Sequence, residues 1–195
     1  MVSTEDSTDA ALHLDLERLE AGLDEIRRSP ADDGTLLMIV RRPAVDRREV
    51  VDEGSLDVAV GLVGDTWQDR PSSSSDDGGP HPEAQLTLVN SRAIDLIARS
   101  RERWALAGDQ LVVDLDLSAQ NLPQGTRLSI GSAVIEVTAK PHTGCLKFAG
   151  RFGHDALRFV STSEAMAMRL RGVNTRVVRS GAIRAGDTVA KIAAP

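Results

Sequence analysis

Arg127-Leu128-Ser129-Ile130-Gly131-Ser132-Ala133-Val134-Ile135-Glu136-Val137-Thr138-Ala139 reads as two short strands, 127–130 and 133–139, separated by a glycine. Along the second, Ile135 and Val137 fall on one side and Val134, Glu136 and Thr138 on the other, the two-residue period of a strand. Similar runs occur on both sides of this pair, at 35–40, 48–51, 85–89, 111–115, 176–179 and 188–192, most of them bounded by Gly or Pro. Residues 56–60 fit a strand or a short helix equally. Many short strands with few helices predict a mainly β (α+β) chain, folded as a closed or nearly closed β-barrel with peripheral helices.

The helices are read from a different spacing. Leu12, Leu16, Leu19, Leu23 and Ile26 recur at three- and four-residue steps, which predicts an amphipathic helix over 9–28, with Asp9 as its cap and Pro30 beyond its end. Asn90 or Ser91 caps a second helix carrying Ile94, Leu96 and Ile97 and reaching Trp104. A single helical turn is expected at 155–159. Ser161-Thr162-Ser163-Glu164 is a capping box for a helix through Leu170, with Gly172 at its C-cap. Residues 1–8 are polar and expected to be disordered. Residues 69–82, rich in Ser, Asp, Gly and Pro, predict a flexible loop. No linker divides the remainder, so 9–195 reads as one domain.

The strand 133–139 runs into Lys140-Pro141-His142-Thr143-Gly144-Cys145-Leu146-Lys147-Phe148-Ala149-Gly150-Arg151, which holds the only cysteine. A thiol reacts as its thiolate, and fixed positive charge such as Lys147 and Arg151 favours that form. Pro141 and Gly144 predict a turn that presents Cys145 from a loop. The plainer alternative is a small buried apolar residue. His142 is read either as a proton donor, or a group orienting Lys147, or as a structural hydrogen-bond partner.

Arg41, Arg42, Arg47 and Arg48 follow the strand at 35–40 and match the fork geometry of a phosphate or carboxylate clamp, or else pair with Asp46, Glu49, Asp52 and Glu53 on the surface. Gly61-Leu62-Val63-Gly64-Asp65-Thr66-Trp67 is a tight turn without the lysine or spacing of a phosphate loop.

Composition narrows the classes. A formal net charge of -6, no Tyr, 3 Phe and 2 Trp argue against a nucleic-acid surface. No run of about 18 apolar residues exists and the first residues are acidic, so neither a membrane span nor a secretory signal is expected and a cytoplasmic location is. One cysteine and 4 scattered histidines give no zinc-ligand spacing, and no Gly-x-Ser-x-Gly elbow is present.

Asn121-Leu122-Pro123-Gln124-Gly125, Leu128-Ser129-Ile130-Gly131, Val134-Ile135-Glu136-Val137-Thr138, Cys145-Leu146-Lys147, Arg171-Gly172-Val173 and Gly186-Asp187 together resemble a MOSC domain, and the likeness reaches back through the Gly61–Trp67 turn to about residue 12. That family is named for the C-terminal domain of molybdenum-cofactor sulfurase, and it also occurs in molybdenum-dependent amidoxime-reducing enzymes and as small stand-alone bacterial proteins. The resemblance implies that Cys145 is a soft thiolate ligand for the molybdenum of a pterin cofactor. Arg41, Arg42, Lys147, Arg151 and Arg176 are then candidates for the cofactor's phosphate, Asn121 and Asn174 for pterin hydrogen bonds, and Trp67 for the pocket wall. Reduction of N-hydroxylated compounds, fed by an electron-donor protein, is the activity this implies. A second reading makes Cys145 a persulfide carrier between a sulfur donor and an acceptor, and a third makes the barrel a non-enzymatic binder of a small anion or partner. The chain shows neither the pyridoxal-phosphate domain of the sulfurase nor the extra N-terminal domain of the reductases, so pyridoxal phosphate is not expected.

Overall fold

The computed structural model describes residues 12–72, 75 and 78–193. Eleven strands run in chain order: β1 (Gly34–Arg41), β2 (Glu49–Val51), β3 (Glu53–Asp57), β4 (Gly61–Leu62), β5 (Leu86–Asn90), β6 (Leu111–Asp114), β7 (Arg127–Ile130), β8 (Ala133–Val137), β9 (Val173–Arg179), β10 (Gly181–Arg184) and β11 (Thr188–Ile192). Six helices accompany them: α1 (Leu16–Ala21), α2 (Leu23–Arg27), α3 (Ser91–Ala98), α4 (Leu146–Phe152), α5 (His154–Val160) and α6 (Ser163–Ala167). The order β11-β7-β8-β9-β5-β6-β1 closes through a β1–β11 pairing into a seven-stranded barrel, with β2 added outside β1. Strands β10, β3 and β4 form a small second sheet. The mainly β barrel with peripheral helices is therefore the fold observed.

Closure gives every barrel strand an inside and an outside. Leu86 and Leu88 of β5, Leu111 and Val113 of β6, Leu128 and Ile130 of β7, and Ile135 and Val137 of β8 belong to one buried cluster that fills the barrel. The alternate positions Val89 and Val112 join a second cluster with Phe148, Phe152 and Phe159 of the helices. In β1 the phase changes, because the pairing with β6 shifts between Leu36 and Met38. One extra residue there turns Met38 and Val40 outward to the helices while Leu36 and Ile39 stay inside. Among the described residues only β5 and β6 pair in parallel. That pairing requires a crossover, supplied by α3 and a 3-10 helix (Arg101–Ala107). Asn90 ties the crossover down: its Oδ1 accepts from Ala93 N at 3.0 Å and its Nδ2 donates to Ser29 Oγ and Leu115 O, both at 2.7 Å.

Several element boundaries differ from the sequence reading. Within the described residues the N-terminal helix is α1, capped by Asp15, and it breaks at Gly22 and leaves Leu12 exposed; the expected cap Asp9 lies outside the described residues. Trp104 sits on the 3-10 helix, after Arg99 takes a left-handed φ of 66° that ends α3. The capping box works through Thr162, which accepts from Ala165 N, but its helix stops at Ala167, so Gly172 is not its C-cap. Residues 1–8 lie outside the described residues. The described part of 69–82 holds only the ends of two short 3-10 turns. Among the described residues no helix is long and apolar enough to cross a membrane.

Leu88 is fully buried on a strand paired on both sides. Leu88→Ala is expected to lower unfolding stability by about 2–5 kcal/mol in denaturant titration, through lost transfer energy plus a cavity.

Candidate functional site

The segment after β8 is pinned from two sides before it reaches Cys145. Thr138 Oγ1 donates to Glu83 O at 2.6 Å, and Asn174 Nδ2, from β9, donates to the carbonyls of Lys140 and Pro141, both at 3.1 Å. The Asn174 amide is thus committed to this loop rather than open to a ligand. Gly144 takes no positive φ; its requirement is space, since a Cβ would come within 2.5 Å of Leu157 Cδ1. Cys145 follows with an extended backbone as the N-cap of α4, and its thiol is exposed. The loop expected around Cys145 is therefore a helix from Leu146 onward. Phe148, Ala149 and Phe152 form its buried face, and Gly150, which looks like a breaker in the sequence, sits on the exposed side.

Cys145 opens into a cleft of about 380 Å³ that is also lined by Arg42, Arg48, Arg70, His142, Lys147, Arg151 and Arg171. The arginines and Lys147 divide into two kinds. Arg42 is fully engaged: Nε and Nη2 donate to the buried Asp65 carboxylate at 2.8 and 2.7 Å, and Nη1 donates to Gly108 O at 3.0 Å. Arg171 Nη1 donates to buried Asp109 at 2.7 Å, and Arg151 Nη2 reaches Asp46 at 3.0 Å. Arg48, Arg70 and Lys147 have no carboxylate partner among the described residues. Burial, together with the neighbouring charges of Arg151 and Arg42, pulls the Arg48 guanidinium below its ordinary pKa; burial and Arg42 do the same to Arg70. The Nε of Arg48 is buried without any hydrogen-bond partner. Buried guanidinium hydrogens without acceptors, beside other unpaired charge, mark a place that an anion would relieve.

The cleft wall is organised by Asp109. Its buried carboxylate receives His142 Nε2 at 2.8 Å through one oxygen and Arg171 Nη1 at 2.7 Å through the other. Burial alone would raise its pKa, but the Arg171 charge and the His142 contact outweigh that and hold the carboxyl well below the usual range. An ionised carboxylate only accepts hydrogen bonds, so His142 Nε2 carries the hydrogen and Nδ1 of the neutral ring is an acceptor. Burial, then the Arg171 charge, lowers the His142 pKa below 6.5, so the ring is neutral near pH 7. Gly172 permits this packing: its φ is 112°, and a Cβ would lie 2.3 Å from Leu88 O and 3.1 Å from His142 Cδ2.

Of the residues read from the sequence, the structure brings Cys145, Lys147, His142, Arg42 and Arg151 to one cleft. Others lie elsewhere. Arg41 packs under Gly64, with Glu49 at 3.8 Å. Asn121 donates to Ala31 O and Asp116 O and accepts from Lys191. Arg176 pairs with Glu136 on an exposed face of β9, and Trp67, on a 3-10 turn, lines neither this cleft nor the cavity beside it. Sequence reasoning passed over Asp109, Arg70 and Arg171 as site residues. The signals present were that Arg171 stands in the Arg171-Gly172-Val173 run that carries the family resemblance, and that Asp109 and Arg171 each adjoin a glycine. Among the described residues no three His, Cys, Asp or Glu side chains gather to hold a metal ion.

Two outcomes are expected. Cys145→Ala should change unfolding stability by no more than about 0.5 kcal/mol, whereas Asp109→Ala should cost about 3–5 kcal/mol by stranding Arg171. Because the folded His142 pKa lies below its unfolded value, unfolding takes up a proton as pH falls through about 6.5, and stability declines on acidification. In His142→Asn that component, at most about 1.4 kcal/mol per pH unit, should disappear from stability measured between pH 7 and 5.

The barrel has relatives among solved structures. The YuaD protein from Bacillus subtilis superposes with a TM-score of 0.61 at 14% identity, over 80% of this chain and 93% of that one. YiiM from Escherichia coli gives 0.54 at 20% identity, over 83% of this chain and 71% of that one. At such identities the likeness is one of fold. No curated protein matches the chain. The MOSC domain profile matches residues 75–190, from just before β5 into β11, a span that takes in Cys145, His142, Asp109 and Arg171. The chain belongs to the MOSC domain family.

Proposed function

We propose that the Cys145 cleft binds a molybdenum cofactor, with the Cys145 thiolate as the protein's ligand to molybdenum and Arg48, Arg70, Lys147 and Arg151 holding the pterin's phosphate. The observation that carries this reading is an exposed thiol in one cleft with three cations that have no carboxylate partner. The donor set fits the group: thiolate is a soft ligand suited to molybdenum, and guanidinium forks suit phosphate. Family membership adds an association with this cofactor.

When bound, the cofactor would supply the chemistry for reducing N-hydroxylated compounds, in which two electrons from an electron-donor protein and two protons convert N–OH to N–H and water. The chain's own residues do the rest. Arg42 and Arg171, neutralised by Asp65 and Asp109, shape the cleft without adding net charge. The neutral His142, with Nδ1 as acceptor, would take up and pass on a proton.

A second reading is favoured by the exposure of the thiol and of its neighbour Leu146, 79% exposed, which leaves Cys145 open to a protein partner. Cys145 thiolate would attack the outer sulfur of a donor persulfide, the donor S–S bond would break, the donor thiolate would leave, and the new persulfide would pass its sulfur to an acceptor in the same way.

Metal analysis of protein made in a host that synthesises molybdenum cofactor separates the two. Near-stoichiometric molybdenum is expected, lost in Cys145→Ala and reduced at least tenfold in Arg48→Gln, whose folding stability should be unchanged. Absence of molybdenum from wild type, with one added sulfur atom on Cys145 by mass, would replace the first reading with the second.

A further inference from the structure

A second cavity, of about 250 Å³, adjoins the first at His142 and Arg171, which line both. Its character is different. Val160, Ala165, Met166 and Val173 give it an apolar wall, and no aspartate or glutamate lines it. One guanidinium there stands out. Arg169 Nη1 donates to Leu122 O at 2.7 Å, and the side chain has no carboxylate partner among the described residues. Arg169 is also one of the few non-glycine residues held at positive φ, 52°, between the end of α6 and the start of β9. A long side chain kept in that sparsely populated conformation, with its charge half-buried and lowered in pKa by burial, is an unfavourable arrangement unless it serves something in the cavity. Of the other basic side chains that line it, His142 is neutral near pH 7, Arg171 is matched by Asp109 while its buried Nε has no hydrogen-bond partner, and Lys140 adds an ammonium group.

We propose that this second cavity binds a small organic monoanion, a carboxylate on an apolar or aromatic body, with the carboxylate accepting from Arg169 and the body lying on Val160, Ala165, Met166 and Val173. A guanidinium without a carboxylate partner, Arg169, beside an apolar wall suits a carboxylate, whose two oxygens match the fork. The three unpaired cations of the first cleft suit a phosphate. Because His142 and Arg171 separate the two occupants, a molecule here sits beside the Cys145 cleft. On the cofactor reading, this cavity selects the substrate.

Benzoate is the probe, titrated into the full chain prepared without molybdenum and followed by amide chemical shifts, so the result does not depend on cofactor loading. Shifts are expected at Thr143, Ala165 and Gly172, with benzamide at least tenfold weaker. Arg169→Asn, a residue at ease at positive φ, should weaken benzoate at least tenfold, and Arg169→Lys should retain part of the affinity. Met166→Glu, at a position 54% exposed, adds a carboxylate at the rim without disturbing the core and should also weaken benzoate. Equal binding of benzamide, undiminished binding in Arg169→Asn and Met166→Glu, or no shifts at millimolar benzoate would overturn the assignment.

Discussion

Asp109 holds three parts of the chain together. It precedes β6, His142 lies in the segment after β8, and Arg171 leads into β9, so one buried carboxylate joins three strand ends at the mouth of the barrel. A buried ion pair adds little net stability compared with an apolar replacement, but removing one partner strands the other. What the contact does secure is arrangement. It fixes the tautomer of His142 and keeps Arg171 over the Phe148 ring at 4.9 Å, so that α4 and the segment carrying Cys145 have one position relative to the barrel.

Electrostatics then sorts the arginines by whether a carboxylate answers them. Arg42 with Asp65 and Arg171 with Asp109 are internal pairs that leave no net charge at the cleft. Arg48, Arg70 and Lys147 supply positive charge beside the thiol, in a protein whose overall charge is negative. The local sign is therefore opposite to the global one, which composition cannot reveal. The same test separates the two cavities, one holding three cations without carboxylate partners and one in which Arg169, also without a carboxylate partner, lies beside an apolar wall.

The barrel was legible because its strands alternate, and alternation survives in sequence wherever one face is buried. Ile135 and Val137 face inward as their spacing requires. Alternation failed in β1, where an extra residue shifts the phase, and at β10, a short strand in a separate small sheet that no run of apolar residues announces. In the site, Cys145, Lys147 and Arg151 were legible as a local cluster because α4 keeps them close. Asp109, Arg70 and Arg171 were not, since they come from distant segments and are joined only by closure of the barrel. Asn121 and Arg176 carried the right chemistry at the wrong place: Asn121 bonds to Ala31, Asp116 and Lys191, and Arg176 faces outward on β9.

The central claim is that Cys145 supplies a sulfur ligand to a metal carried by an anionic cofactor. X-ray absorption at the molybdenum edge, on protein loaded with cofactor, counts the sulfur atoms around the metal directly. The account predicts one sulfur more in wild type than in Cys145→Ser loaded by reconstitution. An identical sulfur count in the two proteins would contradict it.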